Sequence, residues 1–207
     1  MRNIIDYNYY IFDLGGIIIN IDYTRSIQAF EDLGIPNFDK LYNQFTQTDI
    51  FDLFETGKIS AQHFINKLLD HLPSGISPNK VVSAWNAMIL DAPKERIQLL
   101  QQLRSSGKQI YMLSNINEIH HERAWREWAK SSSLMPEEIY NKLYLSHQIG
   151  LRKPNTEVFE FVCKDIGIQP EQALFVDDSI QHIESARNFG LNTVHLTGEM
   201  EFVQLFS

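Results

Sequence analysis

A single cysteine, Cys163, stands in 207 residues. One thiol cannot close an intramolecular disulfide, so a reducing compartment is the expected setting. Basic residues are also scarce: Lys and Arg total 18 against 26 Asp and Glu, a formal net charge of −8. Sequence-independent binding to nucleic acid or to anionic membrane relies on basic patches, and this balance argues against both. The chain has no run of like charges, no low-complexity tract and no internal repeat. No apolar run reaches membrane-spanning length. The stretch MRNIIDYNYYIFDLGG is broken by Asp6, Asn8 and Asp13 and lacks a cleavage-site pattern, so it reads as folded chain rather than a signal peptide. The expectation is a cytoplasmic protein, a monomer or weak homodimer, acting on a small molecule.

What is present is a regular alternation. Five apolar runs read as strands: YYIFD from Tyr9, KQIYMLS from Lys108, KLYLS from Lys142, ALFVDD from Ala173 and NTVHL from Asn192. None alternates cleanly, which suits strands covered on both faces in a parallel sheet. Helical patterns lie between them. One carries Pro93 near its start, a stripe of Ile97, Leu100 and Leu103, and Gly107 at its end; others run from Asn155 to Gly167 and from Ser179 to Gly190. This is the pattern of an α/β, Rossmann-like doubly wound fold with a mainly parallel five-stranded core sheet.

The alternation fails between about Tyr23 and Ile89. That stretch has no good strand and reads as several amphipathic helices, among them NFDKLYNQFT from Asn37, with N-caps at Ser60 and Ser77 and Pro78 at a first helical position. Stripes of Phe64, Leu68 and Leu72, and of Val81, Trp85 and Met88, are expected to be core. The division follows: an α/β core of residues 1–19 and 92–207, and an inserted all-helical cap domain of residues 20–91.

In an open α/β sheet, ligands bind beyond the carboxyl ends of the strands. Polar residues collect there. Asp13 ends the first strand, Ser114 and Asn115 the second, Asp177 and Asp178 the fourth, and Lys153 follows the third in the loop GLRKP. Each alone has an ordinary structural explanation, such as a turn, a helix cap or a solvated lysine. Their joint placement on one edge does not.

FDLGG, MLSN, GLRKP and FVDDS, in this order and context, resemble the four motifs of the haloacid dehalogenase-like hydrolase superfamily, over nearly the whole chain. The helical insertion resembles that family's mobile cap. The resemblance implies a Mg²⁺-dependent phosphatase for a small phosphate ester, with sugar phosphates the expected class. Asp13 would be the nucleophile, forming an aspartyl-phosphate. Ser114 and Lys153 complete the catalytic set, and Leu14, Ser114, Asn115 and Lys153 the substrate contacts. Asp13, the Gly15 carbonyl and Asp178 would hold the metal, with Asp177 in outer-shell support.

The family's phosphatases usually carry an aspartate where this chain has Gly15. Its carbonyl role survives here, but its role as proton donor does not, a loss of roughly 10²–10⁴-fold. Esters with a stable leaving group should then be favoured. If another residue supplies the proton, His182 is the first candidate to mutate. His182, where relatives often have asparagine, reads as a partly buried helix histidine, His120 and His121 read as surface residues, and Asn20 lies at the cap hinge. Arg25, Lys40, Lys58, Lys67 and Lys80 are basic residues of the cap with no assigned direction. Two rival readings remain: a metal-free 2-haloacid dehalogenase, which the adjacent Asp177 and Asp178 disfavour, and a catalytically degenerate binding protein, supported only by Gly15.

Overall fold

The computed structural model describes residues 3–36, 38, 50–197 and 202–206. Five strands form one sheet: β1 Tyr9–Phe12, β2 Gln109–Ser114, β3 Lys142–Leu145, β4 Ala173–Asp177 and β5 Asn192–His195. Their order is β3-β2-β1-β4-β5, and every pairing is parallel. β1 is therefore central. The chain winds outward from it first to one side and then to the other, and the two neighbours of β1 diverge at its carboxyl end.

The continuous apolar runs have the expected cause. Along β1, Tyr10 and Phe12 enter one buried cluster while Ile11 enters another on the opposite face. The first cluster is closed by Ile97, Leu100 and Leu103 of the helix Lys94–Ser105 and by Ala124 and Trp128 of the helix Glu118–Trp128. The second is closed by Val158, Phe159 and Val162 of the helix Thr156–Ile166 and by Ile183 and Ala186 of the helix Ile180–Phe189. With both faces covered, the central strands β1 and β4 carry apolar residues up to their carboxyl ends.

Between Tyr23 and Met88 the described residues contain no strand. The helices Tyr23–Asp32, Ile50–Glu55, Ala61–Leu69 and Pro78–Trp85 pack round a third cluster that includes Phe30, Phe51, Phe54, Phe64, Leu68 and Trp85. Phe54 stacks on Phe64 with centroids 4.2 Å apart, and Phe51 on Trp85 at 5.5 Å. The Ser60 side chain caps its helix by accepting from the His63 N–H. Ser77 occupies an N-cap without a side-chain bond, and Pro78 opens the helix. The expected helix from Asn37, and Lys40, fall outside the described residues except Phe38.

The helical unit joins the core through two crossing segments. The Asn20 N–H donates to the Asp91 carbonyl, the Leu90 N–H to Asn20 and the Asp22 N–H to Met88, and the Asn20 amide also reaches the Asp91 carboxylate at 3.1 Å. Ile21 and Ile89 form an antiparallel bridge between the same segments. Among the described residues, no helix is long and apolar enough to cross a membrane.

Candidate active site

Strand geometry explains the position of the first carboxylate. The Asp13 N–H donates to Val176 of β4, which holds the residue in line as β1 ends. Asp13 is buried, and its Oδ1 accepts from the Leu14 N–H at 2.7 Å and lies 3.0 Å from Lys153 Nζ. Its Oδ2 accepts no hydrogen bond among the described residues. Lys153 is wholly buried and places its ammonium between two carboxylates, 3.0 Å from Asp13 and 2.6 Å from Asp177. It also lies 5.5 Å from the Phe175 ring centroid.

Lys153 is aimed by its backbone. The Asn115 side chain accepts from the Lys153 N–H at 2.9 Å and donates to the Lys153 carbonyl at 2.8 Å. Asn115 borders the cavity, but both ends of its amide are engaged in clamping the lysine loop to the end of β2. In the same way the Leu14 N–H, an expected substrate contact, is engaged by Asp13. Ser114 is buried at the tip of β2 and lines the cavity. Ser146 supports the loop that follows, with its hydroxyl bonded to both the N–H and the carbonyl of Ile116.

Asp177 is held from several sides. Its Oδ1 accepts from the Ser179 N–H at 2.8 Å and from His182 Nδ1 at 3.0 Å, and its Oδ2 from Lys153. Burial alone would raise its pKa, yet Lys153 and His182 outweigh burial and hold it well below the carboxylate range. His182 is partly buried as expected, but it faces the site rather than the helix packing, because Asp177 captures its ring.

Asp178 borders the cavity and packs against the backbone of Gly16. A Cβ at Gly16 would lie 2.1 Å from Asp178 Oδ2, and the residue has φ +71°, so glycine is required on both counts. At Gly15 a Cβ would lie 2.4 Å from Ile21 Cδ1, a side-chain tip that would have to move.

The charges do not balance. Asp13, Asp177 and Asp178 face one ammonium. Burial raises the Asp13 pKa to about 6, with Asp177 and Asp178 adding to Lys153's failure to offset it. Burial and the neighbouring Asp177 charge likewise raise Asp178. An all-oxygen donor set with surplus negative charge fits a hard divalent cation such as Mg²⁺. Oxygen or nitrogen atoms of Asp13, Asp177 and His182 also lie within 4.8 Å of one another.

The cavity above these groups has a volume of about 560 Å³ and is roofed by the helical unit. The roof supplies Tyr23, Glu55, Trp85 and Met88. Arg152, beside Lys153, pairs with both Asp52 and Glu55 of the helix Ile50–Glu55. Sequence reasoning passed over Glu55 and Arg152, since neither belongs to a periodic pattern; the only signal was the arginine inside GLRKP. His120 corrects the reading as a surface residue. It is buried, stacks on Trp85 with centroids 4.9 Å apart, and its Nε2 donates to the Trp85 carbonyl while Nδ1 faces Asn117. Burial lowers its pKa to about 4, so it is neutral. Its adjacency to the cap could not be read from one helix alone.

A model of the haloacid dehalogenase-like hydrolase family matches residues 7–190. The chain is 33% identical over 183 residues to a D-ribitol-5-phosphate phosphatase of Bacteroides thetaiotaomicron, covering 88% of each. It is 28% identical to a glyceraldehyde 3-phosphate phosphatase of Methanopyrus kandleri, covering 83% of this chain and 73% of that one. The crystal structure of a haloacid dehalogenase family enzyme from Bacteroides thetaiotaomicron, in complex with magnesium and inorganic phosphate, is similar with a TM-score of 0.88 and 29% identity, covering 97% of this chain and 100% of that one.

Proposed function

The chain belongs to the haloacid dehalogenase-like hydrolase family, and we propose that it uses Asp13 to hydrolyse a small phosphorylated polyol or sugar through an aspartyl-phosphate. It is a Mg²⁺-dependent phosphatase. The observation that carries the residue assignment is the buried row Asp13–Lys153–Asp177, with an Asp13 oxygen left over at the floor of a roofed cavity.

In this reading Asp13 Oδ2 attacks phosphorus. Lys153 offsets charge on the nucleophile and on the phosphoryl oxygens, and Ser114 donates to one of those oxygens. Asn115 and Asp177 position Lys153. Asp13, the Gly15 carbonyl and Asp178 are the groups that would hold Mg²⁺; Asp178 is preferred to Asp177 because the oxygens of Asp177 are already taken by Lys153, His182 and Ser179. When bound, the cation supplies charge neutralisation between nucleophile and phosphate.

Residues 20–91 act as the cap and the remainder as the core, with hinges at Asn20–Asp22 and Met88–Asp91. The cavity suits a ligand of sugar-phosphate size, and D-ribitol 5-phosphate, the substrate of the relative at 33% identity, is the first compound to test. A cytoplasmic location accords with the lone buried cysteine, and a monomer or weak dimer is proposed with it. The test is phosphate release from a panel of polyol and sugar phosphates, with Mg²⁺ and with chelator. Release that ignores the chelator, or its absence across the panel, would overturn the reading.

A further inference from the structure

Gly15 leaves this phosphatase without the usual acid beside the leaving group, and the cap brings a carboxyl group to the same cavity. Glu55 ends the helix Ile50–Glu55 and lines the cavity with Asp13, Ser114 and Asp178. Its side chain is 24% exposed and lies 3.1 Å from Arg152, which pairs at the same time with Asp52, 60% exposed. One guanidinium thus faces two carboxyl groups. If both were ionised the cluster would hold a surplus negative charge beside a site that must accept a phosphate dianion. A single proton removes that surplus. It belongs on Glu55, the more buried of the two, because burial penalises the charged form. Asp52, the more exposed of the two, keeps its pairing with Arg152.

We propose that Glu55 is the proton donor to the leaving oxygen, delivered by cap closure in place of the acid that Gly15 lacks. The inference rests on the phosphatase reading of the site. Asp13 attacks phosphorus and the bond from phosphorus to the ester oxygen breaks. The electron pair stays on that oxygen, which takes the Glu55 proton and leaves as the alcohol. A water then attacks the aspartyl-phosphate, its proton passes to the Glu55 carboxylate, and the bond from phosphorus to Asp13 breaks with its pair returning to Asp13. Glu55 ends as it began. Burial, opposed by Lys153, raises its pKa to about 7, so it can both give and regain a proton near neutrality. The charged and titratable groups around it are Arg152 and Asp52 in the pair, Lys153 behind, and Asp13, Asp178, His120 and His182 across the cavity. His120 is neutral, and Asp177 holds His182.

The leaving-group preference expected from Gly15 then changes. A primary-alcohol ester need not be slow while Glu55 is intact. The experiment compares Glu55→Gln, which keeps size and removes the acidic proton, with the wild type. It measures single-turnover phosphoryl transfer from D-ribitol 5-phosphate, or the best primary-alcohol ester found, and from p-nitrophenyl phosphate, whose leaving group departs unaided. The expected result is a loss on the order of 10²-fold or more for the alkyl ester and little change for the aryl ester. Aryl turnover should show a burst as aspartyl-phosphate accumulates. The wild-type alkyl rate should fall as pH rises through about 7, and that limb should vanish in Glu55→Gln. Equal losses for both esters, or a changed KM with an unchanged pH profile, would overturn the proposal and leave Glu55 a structural or binding residue. If the wild type turns over neither ester with Mg²⁺, the phosphatase reading falls and this inference with it.

Discussion

Lys153 and Asp177 form an ion pair of 2.6 Å in which neither side chain is exposed to solvent. Removing one member of such a pair strands the other in low dielectric. Lys153→Met should abolish turnover and destabilise the protein by about 3–5 kcal/mol. Adding Asp177→Asn should return much of the stability and none of the activity. Denaturant titration and phosphate release on the same preparations check both. A single variant as stable as wild type would mean that the pair is solvated in solution.

Asp13 is the opposite case. Its pKa is raised in the folded state to about 6, so protonated Asp13 stabilises the protein below the unfolded value near 3.8, and that contribution is lost as pH rises through about 6. At pH 7.5 the ionised side chain therefore costs stability unless a cation is bound. Asp13→Asn should eliminate turnover while raising the melting temperature of the metal-free protein. A melting scan with chelator and an activity assay decide it, once deamidation is excluded by mass spectrometry.

Mg²⁺ should relieve the same excess of charge. At a concentration about 100 times its Kd, it should stabilise the wild type by about 2.7 kcal/mol, a rise of roughly 5–11 °C for a chain of this size. Asp178→Asn should lose most of that rise together with activity. An unaltered Mg²⁺ response in Asp178→Asn would transfer the metal site to Asp177 and His182.

Glycine positions separate backbone strain from site geometry. Gly16→Ala puts a methyl group 2.1 Å from Asp178 Oδ2 at a positive φ, and should destroy both Mg²⁺ binding and turnover. Gly107→Ala, also at positive φ but with nothing within 4 Å, should cost only about 1 kcal/mol of backbone strain and leave kcat intact. Comparable activity losses in the two variants would refute the close approach at Gly16.

His120 links the cap to pH. Its folded pKa of about 4 lies below the ordinary value of 6.5, so the stability it contributes is present above about 6.5 and lost as pH falls toward 4. The full effect is of order 3 kcal/mol. His120→Phe keeps a ring against Trp85 and removes the titration. The drop in melting temperature between pH 7 and pH 5 should be smaller in the variant than in the wild type.

Much of this was legible in the sequence. An apolar run with no alternation suits a strand covered twice, and such strands with intervening helices suit a parallel sheet whose carboxyl edge gathers the polar residues that end the strands. Asp13, Ser114, Asp177 and Asp178 are at that edge for this reason, and Lys153 follows the third strand. What the tertiary structure decided lies where elements distant in sequence meet. Glu55 is one carboxylate among many until the cap folds over and sets it against Arg152, 97 positions later in the numbering. Trp85 follows a helical period and His120 does not, and only the packing of two helices buries one ring on the other. His182 occupies one turn of helix after Asp178, and whether it turned inward depended on the Asp177 carboxylate waiting there. Periodicity reports which face of an element is apolar. The partner that a polar side chain finds is a property of three-dimensional closure.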